Sequence, residues 1–297
     1  PRPFTIRGPE TNHMTDTRLQ EVLRRIGSVP PFPTTATKVM ELVSKEDVVP
    51  QQLTEIIGAD PGLAGKVLKL CNSPIYGFQR QISSIEEAGN LMGNRTLASL
   101  VITSSSGKLF QSNGKGADSD LPSLWERCLT NAVAAKLLAK HHGGVNQETA
   151  YIAGLLQDVG LLIAEEYLGE SCAQVRQEMA LGRTLVEAEH QVLGMTHSEI
   201  SARMLASWML PSSIVETVRH HHEPDKATEH PVLTATLCIA EALSALLFRD
   251  RGLDWPAPTF GHQALERCGL THGDLLPLVD ELAVLMEKAQ ESMAAFH

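Results

Sequence analysis

Gly154-Leu155-Leu156-Gln157-Asp158-Val159-Gly160 sets an amide and a carboxylate side by side in an apolar run, Ala150 to Ala164, that otherwise reads as one buried helix. A buried polar side chain is unfavourable unless something answers it. Residues of matching chemistry lie downstream: His197, then His220-His221-His222. An aspartate and several histidines gathered by helices carry the donor set of a carboxylate and imidazole metal site. Gln157 stands where a further imidazole would be most natural, and a neutral amide is a poor replacement for a ring nitrogen. The stretch therefore predicts either a hydrogen-bonded polar cluster or a metal site with a ligand removed.

Every signal around this stretch is helical. Upstream, Leu19 to Ile26 is amphipathic and Val29-Pro30-Pro31-Phe32-Pro33 cannot be helix. Thr34 or Thr35 then opens a helix with Val39, Leu42 and Val43 on one face. Pro50 is a first-turn proline before Gln51 to Ile57, and Asp60-Pro61 reads as an N-cap and N1 proline opening Leu63 to Leu70. Ser83-x-x-Glu86 reads as a capping box, and Asn94 as the cap of a helix through Leu97, Leu100 and Val101. Gln111 to Leu121 is a polar loop. Pro122 to Lys140 carries Trp125, Leu129, Val133, Leu137 and Leu138 on one stripe, and His141-His142 before Gly143-Gly144 suit a helix C-terminus.

Downstream, Thr196-His197-Ser198-Glu199 is a capping box that puts His197 in the first turn of a helix, Ser198 to Met209, stopped by Pro211. Ser213-x-x-Glu216 starts the next. There Ile214, Val215 and Val218 point inward, so His221 and His222, three and four positions on, extend the buried face while His220 points elsewhere. Val232 to Phe248 is strongly apolar. Asp274 to Ser292 is amphipathic through Leu275, Leu278, Leu282, Leu285 and Met286, a packing stripe whose exposed remnant is an alternative interaction face.

Composition bounds the function. The chain has 297 residues, 43% hydrophobic and 20% charged, enough for a sizeable core. Its formal charge of -10, from 25 Lys and Arg against 35 Asp and Glu, disfavours binding to DNA. The five cysteines are widely spaced without a Cys-x-x-Cys pair, which suits reduced core thiols of a cytoplasmic protein. No apolar run approaches a membrane span and no signal peptide is recognisable, so no membrane association is expected. Pro1 to His13 read as an expression leader ahead of Met14. Ser104-Ser105-Ser106-Gly107 lacks the spacing of a phosphate loop, and neither a Gly-x-Ser-x-Gly elbow nor a Cys-His nucleophile is present.

The N-terminal wording resembles a known family. Pro30-Pro31-Phe32-Pro33, Ala59-Asp60-Pro61-Gly62-Leu63 with Val67-Leu68, Cys71-Asn72-Ser73 with Tyr76-Gly77, Ile82-Ser83-Ser84-Ile85 and Leu91-Met92-Gly93 follow, in order, the motifs of the HDOD domains. These are divergent HD-related output domains of bacterial signalling proteins. Gly89-Asn90 departs from the aliphatic residue usual before the leucine-glycine turn. Further on, Met195 to Ile200 and Val218 to Glu223 resemble the HD-GYP phosphodiesterases, in which residues matching Asp158, His197, His221 and His222 bind metal. The match is incomplete: Arg127 takes the first histidine's place, Gln157 replaces the histidine of the HD pair, Glu241 stands near a further aspartate, and no Gly-Tyr-Pro follows Glu223.

The resemblance implies an all-α, HD-like fold of two contiguous helical lobes. Residues 14–106 form the first and 107–120 a flexible loop, followed by the degenerate HD-like core, 121–248, and a helical extension, 249–297. It implies a non-catalytic signalling module that binds a protein partner or a nucleotide, with a metal-dependent phosphohydrolase as the alternative. No cofactor is expected beyond a residual divalent ion on Asp158, His197, His221 and His222. Arg127 beside such an ion is the most damaging substitution, since a guanidinium repels a cation and offers no lone pair.

Overall fold

Asp60-Pro61 behaves as its residue types dictate: the Asp60 carboxylate accepts from the Leu63 amide at 3.0 Å and Pro61 begins the helix. The structure is a computed structural model that describes residues 20, 22–29, 31–43, 50–73, 76, 78, 80–111, 121–250 and 262–294. The expected leader and the prolines at 256 and 258 lie outside them. Among the described residues every regular element is helical. The first lobe holds α1 (Thr34–Val43), α2 (Pro50–Gly58), α3 (Pro61–Cys71), α4 (Ile85–Met92) and α5 (Asn94–Gln111). The second holds α6 (Leu121–His142), α7 (Gln147–Leu156), α8 (Val159–Ala180), α9 (Leu185–Leu193), α10 (His197–Ser207), α11 (Ser212–His220), α12 (Pro231–Asp250), α13 (His262–Arg267) and α14 (Leu275–Ala294).

One apolar core runs through both lobes. The ring of Phe32, held by flanking prolines that cannot enter a helix, stacks on Trp208 at the end of α10 with centroids 4.9 Å apart. Glu148 on α7 ties three helices: it accepts from Thr96 and Ser99 of α5, at 3.2 and 2.6 Å, and from Lys136 of α6 at 2.6 Å.

Several expectations are corrected. The run Ala150 to Ala164 is two helices, broken at Gln157-Asp158, where Asp158 sits at φ -102°, ψ 11° without capping α8 through its side chain. Two glycines permit this turn. A Cβ on Gly154 would lie 2.7 Å from the Asn131 carbonyl of α6, and one on Gly160 would overlap the His197 carbonyl of α10. Gly160 N also donates to Ser201 Oγ at 2.8 Å. The capping residues near 83 are one position later than expected: Ser84 Oγ accepts from Glu87 N, while Glu87 reaches back to the Ser83 amide. Glu216 does not cap α11. Its carboxylate accepts from the amides of Thr228, Glu229 and His230 instead, at 2.8 to 3.0 Å, and so holds the loop before α12.

Helix α10 ends at Ser207, short of the expected Met209. Leu210 N bonds to Leu205 O and Met209 N to Ala206 O around Met209 at φ 59°, a left-handed helix end that usually carries glycine. Helix α5 continues through 107–111, residues expected in the loop, and the expected boundaries at 106 and 248 both fall inside helices. The expectation about apolar runs also fails: Pro231–Arg249 is long and apolar enough to span a membrane, but 83% of it is buried against the other helices.

Candidate metal centre

Helix α6 presents Arg127 and Asn131 one turn apart, on the side facing the α7–α8 turn. Both bind the same oxygen of Asp158: Arg127 Nη2 and Asn131 Nδ2 each lie 3.0 Å from Oδ2. The same Arg127 nitrogen donates to Oε1 of Glu241, on α12, at 2.6 Å. Burial alone would raise the Asp158 pKa. Arg127, then His197, outweigh it and hold the carboxyl below its ordinary value, with a smaller pull from Gln157.

The other oxygens of the two carboxylates meet His221. Its Nδ1 lies 2.7 Å from the Val218 carbonyl, which can only accept, so Nδ1 carries the proton and Nε2 presents a lone pair. That lone pair lies 3.9 Å from Asp158 Oδ1 and 3.7 Å from Glu241 Oε2. All three atoms are shut off from solvent without a hydrogen-bond partner, and all lie within 4.8 Å of one another. Burial depresses the His221 pKa to about 4, so the ring stays neutral. Burial, then the Asp158 charge, pushes Glu241 up to about 7.

Three converging acceptors repel unless a cation or a proton lies among them. The donor types are those of a zinc-like site, and the two separations from His221 Nε2, 3.9 and 3.7 Å, are a few tenths of an ångström wider than the roughly 3.4 Å between tetrahedral ligands on bonds of about 2.1 Å. The residues therefore fit one divalent ion, held by Asp158 Oδ1, His221 Nε2 and Glu241 Oε2.

The two other histidines lie against this set. Glu189 of α9, buried, accepts both the backbone amide and Nδ1 of His197, at 2.9 and 2.7 Å. His197 Nε2 faces His222 Nε2 at 2.9 Å, a contact that needs one proton between two rings. Burial opposes protonation of His197, but Glu189 prevails and raises its pKa; burial and the neighbouring rings lower that of His222. The proton thus resides on His197. Ring nitrogens of His197, His221 and His222 also lie within 4.8 Å of one another, but they become a ligand set only after that proton leaves.

The four residues expected at the site, Asp158, His197, His221 and His222, are brought into one cluster. The structure divides their roles: Asp158 and His221 share a set with Glu241, read from the sequence only as a substitution, while His197 and His222 form a hydrogen-bonded pair. Arg127, expected beside the ion, instead binds the oxygens on the far side, Asp158 Oδ2 and Glu241 Oε1. Sequence reasoning missed Glu189 and Asn131. The signal for Glu189 was its place among Leu185, Ala188, Val192 and Leu193, the apolar face of α9.

A fold with a polar cluster of this type, where helices converge on an aspartate and paired histidines, defines an HD-related helical protein. The profile of the HDOD domain matches residues 29–224, and the chain belongs to that family. An HDOD domain protein of unknown function from Geobacter sulfurreducens superposes with a TM-score of 0.77 at 24% identity, covering 94% of this chain and 98% of that one. A Shewanella amazonensis protein provisionally assigned as a phosphohydrolase gives 0.72 at 24% identity, covering 92% and 98%. These likenesses establish the fold. An uncharacterized protein of Treponema pallidum is 26% identical over 245 residues; the match takes in 79% of this chain and spans only 45% of that relative's length.

Proposed function

We propose that this protein is a non-catalytic output module of bacterial signal transduction, acting through a protein partner, with its HD-type cluster kept as a closed site for one cation. The observation that carries this reading is the burial of the coordinating atoms. Asp158, His221 and Glu241 side chains are 0%, 0% and 2% exposed. Phosphoester hydrolysis on a metal requires an activated water and a substrate oxygen within reach of the ion. A bound ion here would supply charge compensation and hold the end of α11, α12 and the α7–α8 turn together.

The second reading, a metal-dependent phosphohydrolase, is favoured by the converging donors themselves. Assay of phosphomonoesters, phosphodiesters and cyclic dinucleotides with Mg²⁺, Mn²⁺, Fe²⁺, Ni²⁺ and Zn²⁺ separates the two. The proposal expects no turnover above an Asp158→Asn control. Turnover that is lost in His221→Ala would replace it with the enzyme reading. A partner recovered with the wild type should also be recovered with folded Asp158→Asn protein.

A further inference from the structure

The Arg127 guanidinium is placed as a metal ion would be. One nitrogen, Nη2, bridges two carboxylates on different elements, 3.0 Å from Asp158 Oδ2 and 2.6 Å from Glu241 Oε1, and the side chain is 3% exposed. Asn131 completes the hold on Asp158 Oδ2. Each carboxylate thus gives one oxygen to the guanidinium and turns the other toward His221 Nε2. Bringing two buried carboxylates together requires a cation between them, and a guanidinium supplies a permanent one that no chelator removes.

We infer that Arg127 substitutes for one divalent cation of this cluster, so that the fold is assembled without metal and the site accepts one ion at most. The inference rests on the one-cation reading above and can fail separately from it. It makes Arg127 a structural counter-ion within the site, and it explains how a residue that repels cations sits beside a set of metal-ligating types: it faces the opposite oxygens.

The test combines metal content and thermal unfolding of the full chain. Wild type, Arg127→Gln and Arg127→Lys are stripped with chelator, titrated with Mn²⁺ or Zn²⁺, and measured for bound metal by plasma mass spectrometry. Gln supplies a neutral oxygen donor and Lys keeps the charge. Wild type and Arg127→Lys should remain folded after chelation and take up no more than one ion. Arg127→Gln should unfold at lower temperature when metal-free and bind one ion more than wild type. At saturation its melting temperature should rise by roughly 5–10 °C beyond any rise in wild type.

Two ions on wild type, or an Arg127→Gln protein with wild-type metal content and wild-type response to metal, overturns the inference. Should Arg127→Gln not fold under any condition, the wild-type count and its survival of chelation decide. No ion on wild type with a gained ion on Arg127→Gln would leave the inference standing and remove the one-cation reading.

Discussion

Glu241 is a carboxyl of the cluster whose charge depends on conditions near neutrality. Its carboxyl is raised from 4.5 to about 7, by burial first and by Asp158 second. The unfolded chain gives up this proton at lower pH than the folded one. The stability that the neutral carboxyl contributes is therefore whole below about 4.5 and is lost as pH rises through about 7. In metal-free protein, wild type should lose stability relative to Glu241→Gln between about pH 5.5 and about pH 8.5, by ~2 kcal/mol. Urea melts of both proteins at the two pH values measure it, and parallel profiles would contradict the assignment. At this scale Asp158, His197, His221 and His222 were legible because each is a polar residue at an apolar position. Glu189 was not picked out because Glu187, two residues earlier on the same helix, is exposed and caps it through Thr184.

At the scale of elements, the decisive feature is the break between α7 and α8. Hydrophobic periodicity carries straight through Gln157-Asp158, so the sequence reads as one helix; only the crossings with α6 and α10 require the turn. Gly160→Ala should destabilise by ~3 kcal/mol or more, because its Cβ meets backbone and the helices must separate. A chemical melt within ~0.5 kcal/mol of wild type would show that α8 and α10 are not so closely packed. Met209 is the opposite case. It is 64% exposed in a left-handed conformation, so Met209→Gly relieves strain without removing a core contact and should stabilise by ~0.5–1 kcal/mol. A loss of stability would contradict that geometry. The α11 start was misread for a local reason: Ser213-x-x-Glu216 has the right spacing for a cap, but three amides from the loop at Thr228–His230 compete for the Glu216 carboxylate and win.

Across the whole molecule, the helical elements were legible because capping residues and prolines act locally and survive without tertiary information, and the family was legible through the resemblance of the ordered N-terminal motifs. The contacts joining the two lobes did not show, since Phe32 with Trp208 and Ser99 with Glu148 pair residues far apart in the chain. Phe32→Ala should cost ~3–5 kcal/mol and shift the fluorescence of the uncovered Trp208; an unchanged spectrum and melt would deny that the stack joins the lobes. All five cysteines are buried, and burial raises their thiol pKa values, that of Cys71 to about 11 and that of Cys172 to about 12. Native protein should resist alkylation and react at all five only once unfolded.

The measurement that most directly tests the account is anomalous diffraction from crystals equilibrated with Mn²⁺. The account predicts one peak, bonded to Asp158 Oδ1, His221 Nε2 and Glu241 Oε2 and closed from solvent, with Arg127 still on the opposite oxygens. No peak at saturating metal, two peaks, or an ion with exchangeable waters open to the surface would contradict it.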